Sequence, residues 1–164
     1  MDVMLILLLG ASLGLGLMVL RRRYLGFLAQ SPSDYAATTP VLDLRHHLRG
    51  RIQCDGVIYG PLGRVTSRFQ GRFVANWTGD TGVMTEHFAY DTGTTQEREW
   101  TLHLDRDGRV EATAPDVIGT GQGQLSGATL CLRYRIRLPD TAGGHVLSVV
   151  DWMYLNPGGT IVNR

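Results

Sequence analysis

Lysine is absent: all 16 basic residues are arginine. That removes Schiff-base and pyridoxal-phosphate chemistry, which needs a lysine amine. It also removes the Walker-type phosphate loop, whose lysine reaches the β- and γ-phosphates. Cysteine is scarce. Cys54 and Cys131 form no C-x-x-C pair and are too few for a structural zinc site; each reads as a small buried hydrophobe. His46 and His47 are neighbours, so on a strand they face opposite ways and cannot chelate together. No His-x-x-x-His pair, spaced carboxylate cluster or Gly-x-Ser-x-Gly elbow is present, so no metal, other cofactor or simple hydrolase site is expected. An excess of one charge sign is missing as well. The net charge of +1 gives no general attraction to nucleic acid. Arg64, Arg68 and Arg72 interleave with aromatics, but in alternation the two types fall on opposite faces. The arginine face therefore reads as solvated, with no nucleic-acid partner. Gly119-x-Gly121-x-Gly123 has no helix after it and reads as a turn or bulge, not a phosphate loop.

What is present begins with an uncharged, leucine-rich run from Val3 to Leu20, followed at once by Arg21, Arg22 and Arg23. As a helix it spans ~27 Å, enough for a bilayer core. A cleaved signal peptide carries its positive charge before the apolar run and a small-residue site after it; here the arginines stand where cleavage would fall. The run therefore reads as a retained single-pass membrane anchor. Gly10 and Gly14 have the spacing of a helix-dimerising pair, which leaves the oligomeric state open. The arginine flank favours a cytoplasmic domain. Residues 1–23 are thus the anchor and its basic flank, 24–41 a spacer, and 42–164 one small domain.

Within that domain the apolar period is two. Val65, Ser67, Phe69, Gly71, Phe73, Ala75 and Trp77 share a face, with Arg64, Thr66, Arg68, Gln70 and Arg72 on the other. Leu130, Leu132, Tyr134, Ile136 and Leu138 alternate with Arg133, Arg135 and Arg137. Trp100, Leu102 and Leu104 alternate with Glu99, Thr101 and His103. Half-buried antiparallel strands have this pattern. Asp107-Gly108 predicts a tight hairpin between Leu104 and Val110, and Asp91-Thr92-Gly93 a three-residue hairpin loop. Seven or so strands at this spacing predict an all-β, up-and-down antiparallel meander that curls into a barrel.

Several charges interrupt the apolar faces. With Asp91–Gly93 as the loop, Tyr90 faces Thr94, Phe88 faces Gln96, and Glu86 faces Arg98 beside Met84 and Trp100. That is the arrangement of a cross-strand ion pair among aromatics. Asp116 shares its face with Val110, Ala112, Ala114 and Ile118, and Asp151 with Leu147, Val149, Met153 and Leu155. Should the strand of Asp151 turn its other face inward, Trp152 and Tyr154 point in instead and Asp151 leaves the cluster. A buried charge is costly unless paired, so the cluster is either a ligand-holding site or a satisfied network that fixes register.

Taken in order over Leu48 to Arg164, these landmarks resemble the bacterial envelope family known as domain of unknown function 3833. The resemblance rests on Arg68-Phe69, Gly71 and Phe73, the run Thr85 to Asp91, Arg98-Glu99-Trp100, and Asp116 to Gly121. It continues through Tyr134 to Pro139, Asp151 to Leu155 and Asn163-Arg164. It implies a membrane-attached, lipocalin-like antiparallel fold and carries no catalytic residues. Many members look like lipoproteins tethered through an acylated cysteine outside the cytoplasm. This chain has no cysteine near its start and substitutes a helix, so the side of the membrane stays open between the family and the arginine flank. Members also continue past Asn-Arg, so Thr160 to Arg164 would begin a strand at an unclosed sheet edge.

The expected function is a membrane-anchored domain binding an apolar or amphipathic small molecule such as a lipid. Its candidate ligand-binding residues are Glu86, Phe88, Arg98, Trp100, Asp116 and Asp151. A filled barrel serving as an envelope scaffold, or as an accessory to a membrane complex, is the alternative. An enzyme using Glu86 or Asp116 as acid or base is a third reading, for which no nucleophile or acid–base pair is recognisable.

Overall fold

The computed structural model describes residues 3–140 and 143–164. Helix α1 (Val3–Tyr24) is followed by two 3-10 turns (Phe27–Ala29 and Pro32–Tyr35) and a one-turn helix α2 (Leu44–His47). Nine strands come next: β1 (Gly50–Tyr59), β2 (Val65–Thr78), β3 (Thr81–Tyr90), β4 (Thr95–Leu104), β5 (Arg109–Thr113), β6 (Gly121–Ser126), β7 (Thr129–Arg137), β8 (Val146–Leu155) and β9 (Ile161–Asn163). Each is antiparallel to the next, so the order in the sheet is the order in the chain. The alternation and its turns predict this meander, and both hairpins form as their loop residues require. Tyr90 N–H donates to the Thr94 carbonyl at 2.9 Å, which sets Phe88 against Gln96 and Glu86 against Arg98. Leu104 pairs with Val110, and Asp105 Oδ1 accepts the N–H groups of Asp107 and Arg109 at 2.8 Å each.

The sheet curls into a half-barrel, with no pairing between β1 and β9 among the described residues. Its two ends differ. At one end lie the turns at 79–80, 105–108, 127–128 and 156–160. Here α2 and its flanks close the sheet: Leu42, Leu44 and Leu48 are buried, Trp77 Nε1 donates to the Leu48 carbonyl at 2.8 Å, and Arg45 pairs with Asp80 at 2.7 Å. Asp43 caps α2, its carboxylate accepting from Arg45 N–H at 3.0 Å. Against this cap packs the core of Met84, Trp100, Leu102, Leu104, Val110, Ala112, Leu130, Leu132 and Leu155. At the other end, the mouth, the connections are 60–64, 91–94, 114–120 and 138–145. There Phe69, Phe88, Tyr90, Gln96, Tyr134 and Ile136 on the same concave face are only half-buried.

Residues 24–41, read as a spacer, form a strap across the convex face. Tyr35 meets the ring edges of Trp152 and Tyr154 at 5.3 and 5.7 Å between centroids. The hydroxyl of Tyr154 donates to Gln30 Oε1 at 2.7 Å, and that of Tyr35 donates to the same oxygen. Further on, Ala128 N–H donates to Thr38 Oγ1 and Leu42 N–H to the Gly127 carbonyl, both at 2.9 Å. Trp152 is therefore fully buried although it points away from the barrel interior. The strap passes so close that a Cβ on Gly127, whose φ is +51°, would lie 2.0 Å from the Tyr35 carbonyl oxygen.

Helix α1 is long and apolar enough to cross a membrane, and none of its residues is buried. It is a membrane anchor or a signal sequence.

Candidate functional site

The charged residues meet midway along the concave face, where the packed core gives way to the mouth. Strand β5 is too short to follow β4 along its length; it pairs only with Thr101–Leu104. After Thr113 the chain leaves β4 and docks on β7 instead, with Val117 bridging Ile136, Ile118 N–H donating to the Arg135 carbonyl and Arg137 N–H to the Asp116 carbonyl. That detour fixes Asp116 by its backbone and aims its carboxylate at β4, where Arg98 Nε donates to Oδ1 at 3.0 Å. The two side chains are 13% and 25% exposed, so this pair sits in a partly desolvated setting. It also corrects the expected Glu86–Arg98 ion pair. The register places those two opposite each other, yet among the described residues the carboxylate within ion-pair distance of Arg98 is Asp116.

The remaining site residues gather around the same guanidinium. It lies over the Trp100 ring, 4.2 Å from the centroid, with the Tyr134 ring at 5.8 Å. A cation over an indole face is stabilised by ~0.5–2 kcal/mol. Asp151 pairs in register with Leu132, so it faces inward while Trp152 and Tyr154 face the strap. Asn163 Nδ2 on β9 donates to Asp151 Oδ1 at 2.5 Å. Phe88 stands toward the mouth, in edge contact with Phe69 at 5.4 Å and Phe73 at 5.2 Å and near-parallel to Tyr90 at 6.3 Å. Gly56 makes room for this aromatic wall: a Cβ there would meet the Phe69 ring at 2.4 Å. Thus Glu86, Arg98, Trp100, Asp116 and Asp151 form one band, and Phe88 belongs to the wall above it.

Three carboxyl groups around one arginine cannot all be neutralised by it, and the protonation equilibria respond. Burial drives Glu86 up to about 7, against the pull of Arg98 and the Trp100 indole; the Asp151 and Asp116 carboxylates push it further up. Glu86 is 8% exposed. Asp151 rises to about 6, again through burial, opposed by the Asn163 amide and Arg98. Tyr134 is pushed up to about 12 by burial and then by Asp151, so its hydroxyl stays a donor at neutral pH. Within the band one polar atom is left over: Arg98 Nη2, which like Arg45 Nε and Trp152 Nε1 elsewhere is buried with no hydrogen-bond partner among the described residues. A guanidinium N–H thus lies in the band with nothing to accept it.

Three contributors were not among the expected site residues. Tyr134 sits in the apolar alternation of β7, where a phenol among leucines and isoleucine is the available signal. Cys54 lies on the concave face opposite Gly71, its thiol pushed up first by burial, with Glu86 adding a smaller push. Asn163 is reached only through the β8–β9 pairing. Two open depressions, of about 560 and 380 Å³, are lined by Glu86 and Arg98 together with Arg72, His87 and Glu97, and by Tyr134 together with Arg133, Arg135 and Ser148. Between the band and the mouth the concave face forms a trough whose aromatic side chains are half-exposed. Among the described residues, no three His, Cys, Asp or Glu side chains stand close enough to hold a metal.

Together these features define a class: an all-β antiparallel half-barrel, closed at one end, with an acidic band around one arginine midway to an aromatic mouth. The chain belongs to the family described as "Protein of unknown function (DUF3833)", whose model matches residues 23–164. That match begins at the last arginine of the basic flank and includes the strap. Comparison with curated proteins gives no match, and neither does comparison with solved structures.

Proposed function

We propose that this chain is a single-pass membrane protein of the bacterial envelope whose lipocalin-like half-barrel binds an amphipathic small molecule, of which a lipid is the natural candidate. The observation that carries this reading is the unpartnered Arg98 Nη2 at the floor of a half-exposed aromatic trough. A buried donor without an acceptor costs about 1–3 kcal/mol, and a ligand oxygen supplies the acceptor. Glu86, its pKa pushed up to about 7, keeps a protonated population at neutral pH and offers a second donor from a carboxylic acid. The two donors suit a carbonyl, ester or carboxylate head, while Phe69, Phe88 and Tyr90 suit an apolar tail. The capped half is already filled by its own side chains, so the tail would lie toward the mouth.

The test uses the full chain in mild detergent. Native mass spectrometry should show a stoichiometric lipid-like adduct, and a dansylated fatty acid should compete for it. Phe88→Arg should remove both signals while leaving the thermal unfolding midpoint within a few degrees. A clean apo mass together with no uptake of the dansyl probe would overturn the reading and favour the scaffold alternative. Binding should also weaken as pH rises through 7, because a Glu86 carboxylate repels the acceptor it previously served; in Glu86→Gln that dependence should flatten.

A further inference from the structure

The two ends of the half-barrel differ in surface as well as in packing. Outside α1 and the strap, exposed large apolar side chains concentrate on the mouth. Val57, Ile58, Tyr59, Leu62 and Val65 crown the β1–β2 hairpin, with Leu62 90% exposed. Ile118 adds to the 114–120 connection, and Val146 and Leu147 to the start of β8. Exposed apolar side chains thus stand in or beside three of the four mouth connections, and the fourth, Asp91–Thr94, is polar. At the capped end the turns read Gly79-Asp80, Asp105-Arg106-Asp107-Gly108, Ser126-Gly127 and Asn156-Pro157-Gly158-Gly159, with no exposed large apolar side chain. Val74, Val83 and Val162 are also exposed but stand singly on strands toward the capped half. Exposed apolar surface is unfavourable in water, at about 25 cal/mol per Å², and its clustering at one rim marks an interaction surface.

From this asymmetry we infer that the mouth rim docks into the membrane surface, so that the trough opens toward lipid. This inference rests on reading α1 as a retained anchor, and it stands independently of whether the trough holds a ligand. The rim carries exposed Arg64 in the hairpin loop and Arg137 at the end of β7, alongside exposed Asp140 and an Asp91 already paired with Arg68. The two arginines, without a carboxylate partner among the described residues, suit anionic headgroups. Tyr59, 63% exposed at the hairpin tip, has the amphipathic ring favoured at a bilayer interface. The reach is sufficient. Arg21–Tyr24 carry the chain ~6 Å beyond the apolar run as helix, and residues 25–27 add up to ~10 Å when extended. The Phe27 ring, where the strap begins, is covered by the guanidinium of Arg164 at 4.5 Å, and the Arg164 backbone pairs with Trp152. From Trp152 to the mouth end of β8 at Val146 is ~20 Å along a tilted strand. The two spans match to within a headgroup layer.

The experiment uses the full chain in vesicles of phosphatidylethanolamine and phosphatidylglycerol, with one tryptophan introduced at a time. Leu62→Trp reports the rim and Arg106→Trp the capped end; both positions are exposed, and the unsubstituted protein supplies the background of Trp77, Trp100 and Trp152. The emission added by Leu62→Trp should fall by half or more with lipids brominated near the acyl carbonyl and resist aqueous iodide. Arg106→Trp should do the reverse. Iodide quenching of both alike would overturn the inference by leaving the rim in water. Shielding of Leu62→Trp from both quenchers would also overturn it, by placing a protein partner or a second copy on the rim. Release of the unsubstituted chain by an alkaline wash would remove the anchor, and the inference with it. None of these readouts depends on a bound ligand, so the binding reading can fail while this one holds.

Discussion

The capped half and the mouth half of this domain are made of the same strands, yet they are different materials. In the capped half the concave face carries Leu102, Leu104, Val110 and Leu130, closed over by α2. Nearer the mouth the same face carries Glu86, Arg98, Asp151 and, from the 114–120 connection, Asp116, and then aromatics that remain half-exposed. Alternation with a period of two specifies only that a face is turned inward. Whether that face becomes core depends on whether something lies over it. The comparison separates stability, which resides at the cap, from surface left free for other molecules at the mouth.

Truncation breaks or sharpens the contrast most directly. Leu130→Ala empties a fully packed site and should cost about 3 kcal/mol or more. Phe88→Ala removes a larger side chain but, from a half-open wall, should cost about 1 kcal/mol. Urea midpoints decide it, and equal costs would mean the mouth is as much core as the cap.

Glu86 gives the next effect. Its pKa is near 7 when folded and 4.5 when unfolded, so between those pH values the folded state holds the extra proton. Stability is therefore greater at low pH and falls as pH rises from 4.5 through 7, by about 3 kcal/mol at full burial. Glu86→Gln should flatten that slope, leaving a weaker one between 3.8 and 6 from Asp151. Denaturation midpoints at pH 5 and pH 8 measure the difference.

Gly127→Ala tests the strap. A methyl there meets the Tyr35 carbonyl, so the strap must lift; a loss of about 2 kcal/mol is expected. Iodide quenching of Trp152 should rise with it. The smallest effect belongs to Asp80→Asn, which removes the exposed partner of Arg45 and should cost about 0.5 kcal/mol.

How much of this was legible in the sequence follows from the range of the interactions involved. The Glu86–Arg98 register could be read because a hairpin loop fixes it locally. The partner of Arg98 could not, because Asp116 arrives by way of a chain that abandons β4 for β7, and no spacing rule counts across that gap. The inward placement of Asp151 stayed undecided because both faces of β8 are covered, one by the barrel interior and one by the strap, so Trp152 and Tyr154 look as core-like as Val149 and Met153. The strap itself has no periodicity to reveal it; its contacts with Trp152, Tyr154 and Ala128 exist only in three dimensions. The six expected site residues do fall in one neighbourhood, while Tyr134 and Asn163 join them through pairings that the linear order hides.

Only Leu25 and Gly26 separate the end of α1 from Phe27, which already sits beneath Arg164. With α1 held in a bilayer, as proposed above, a tether this short would make the encounter of rim and bilayer intramolecular, at an effective concentration in the millimolar range or above. Side chains too few to recruit a free protein to a membrane would then suffice to hold one orientation of an anchored one. A longer and looser linker would leave every contact in the domain unchanged and still dilute that encounter.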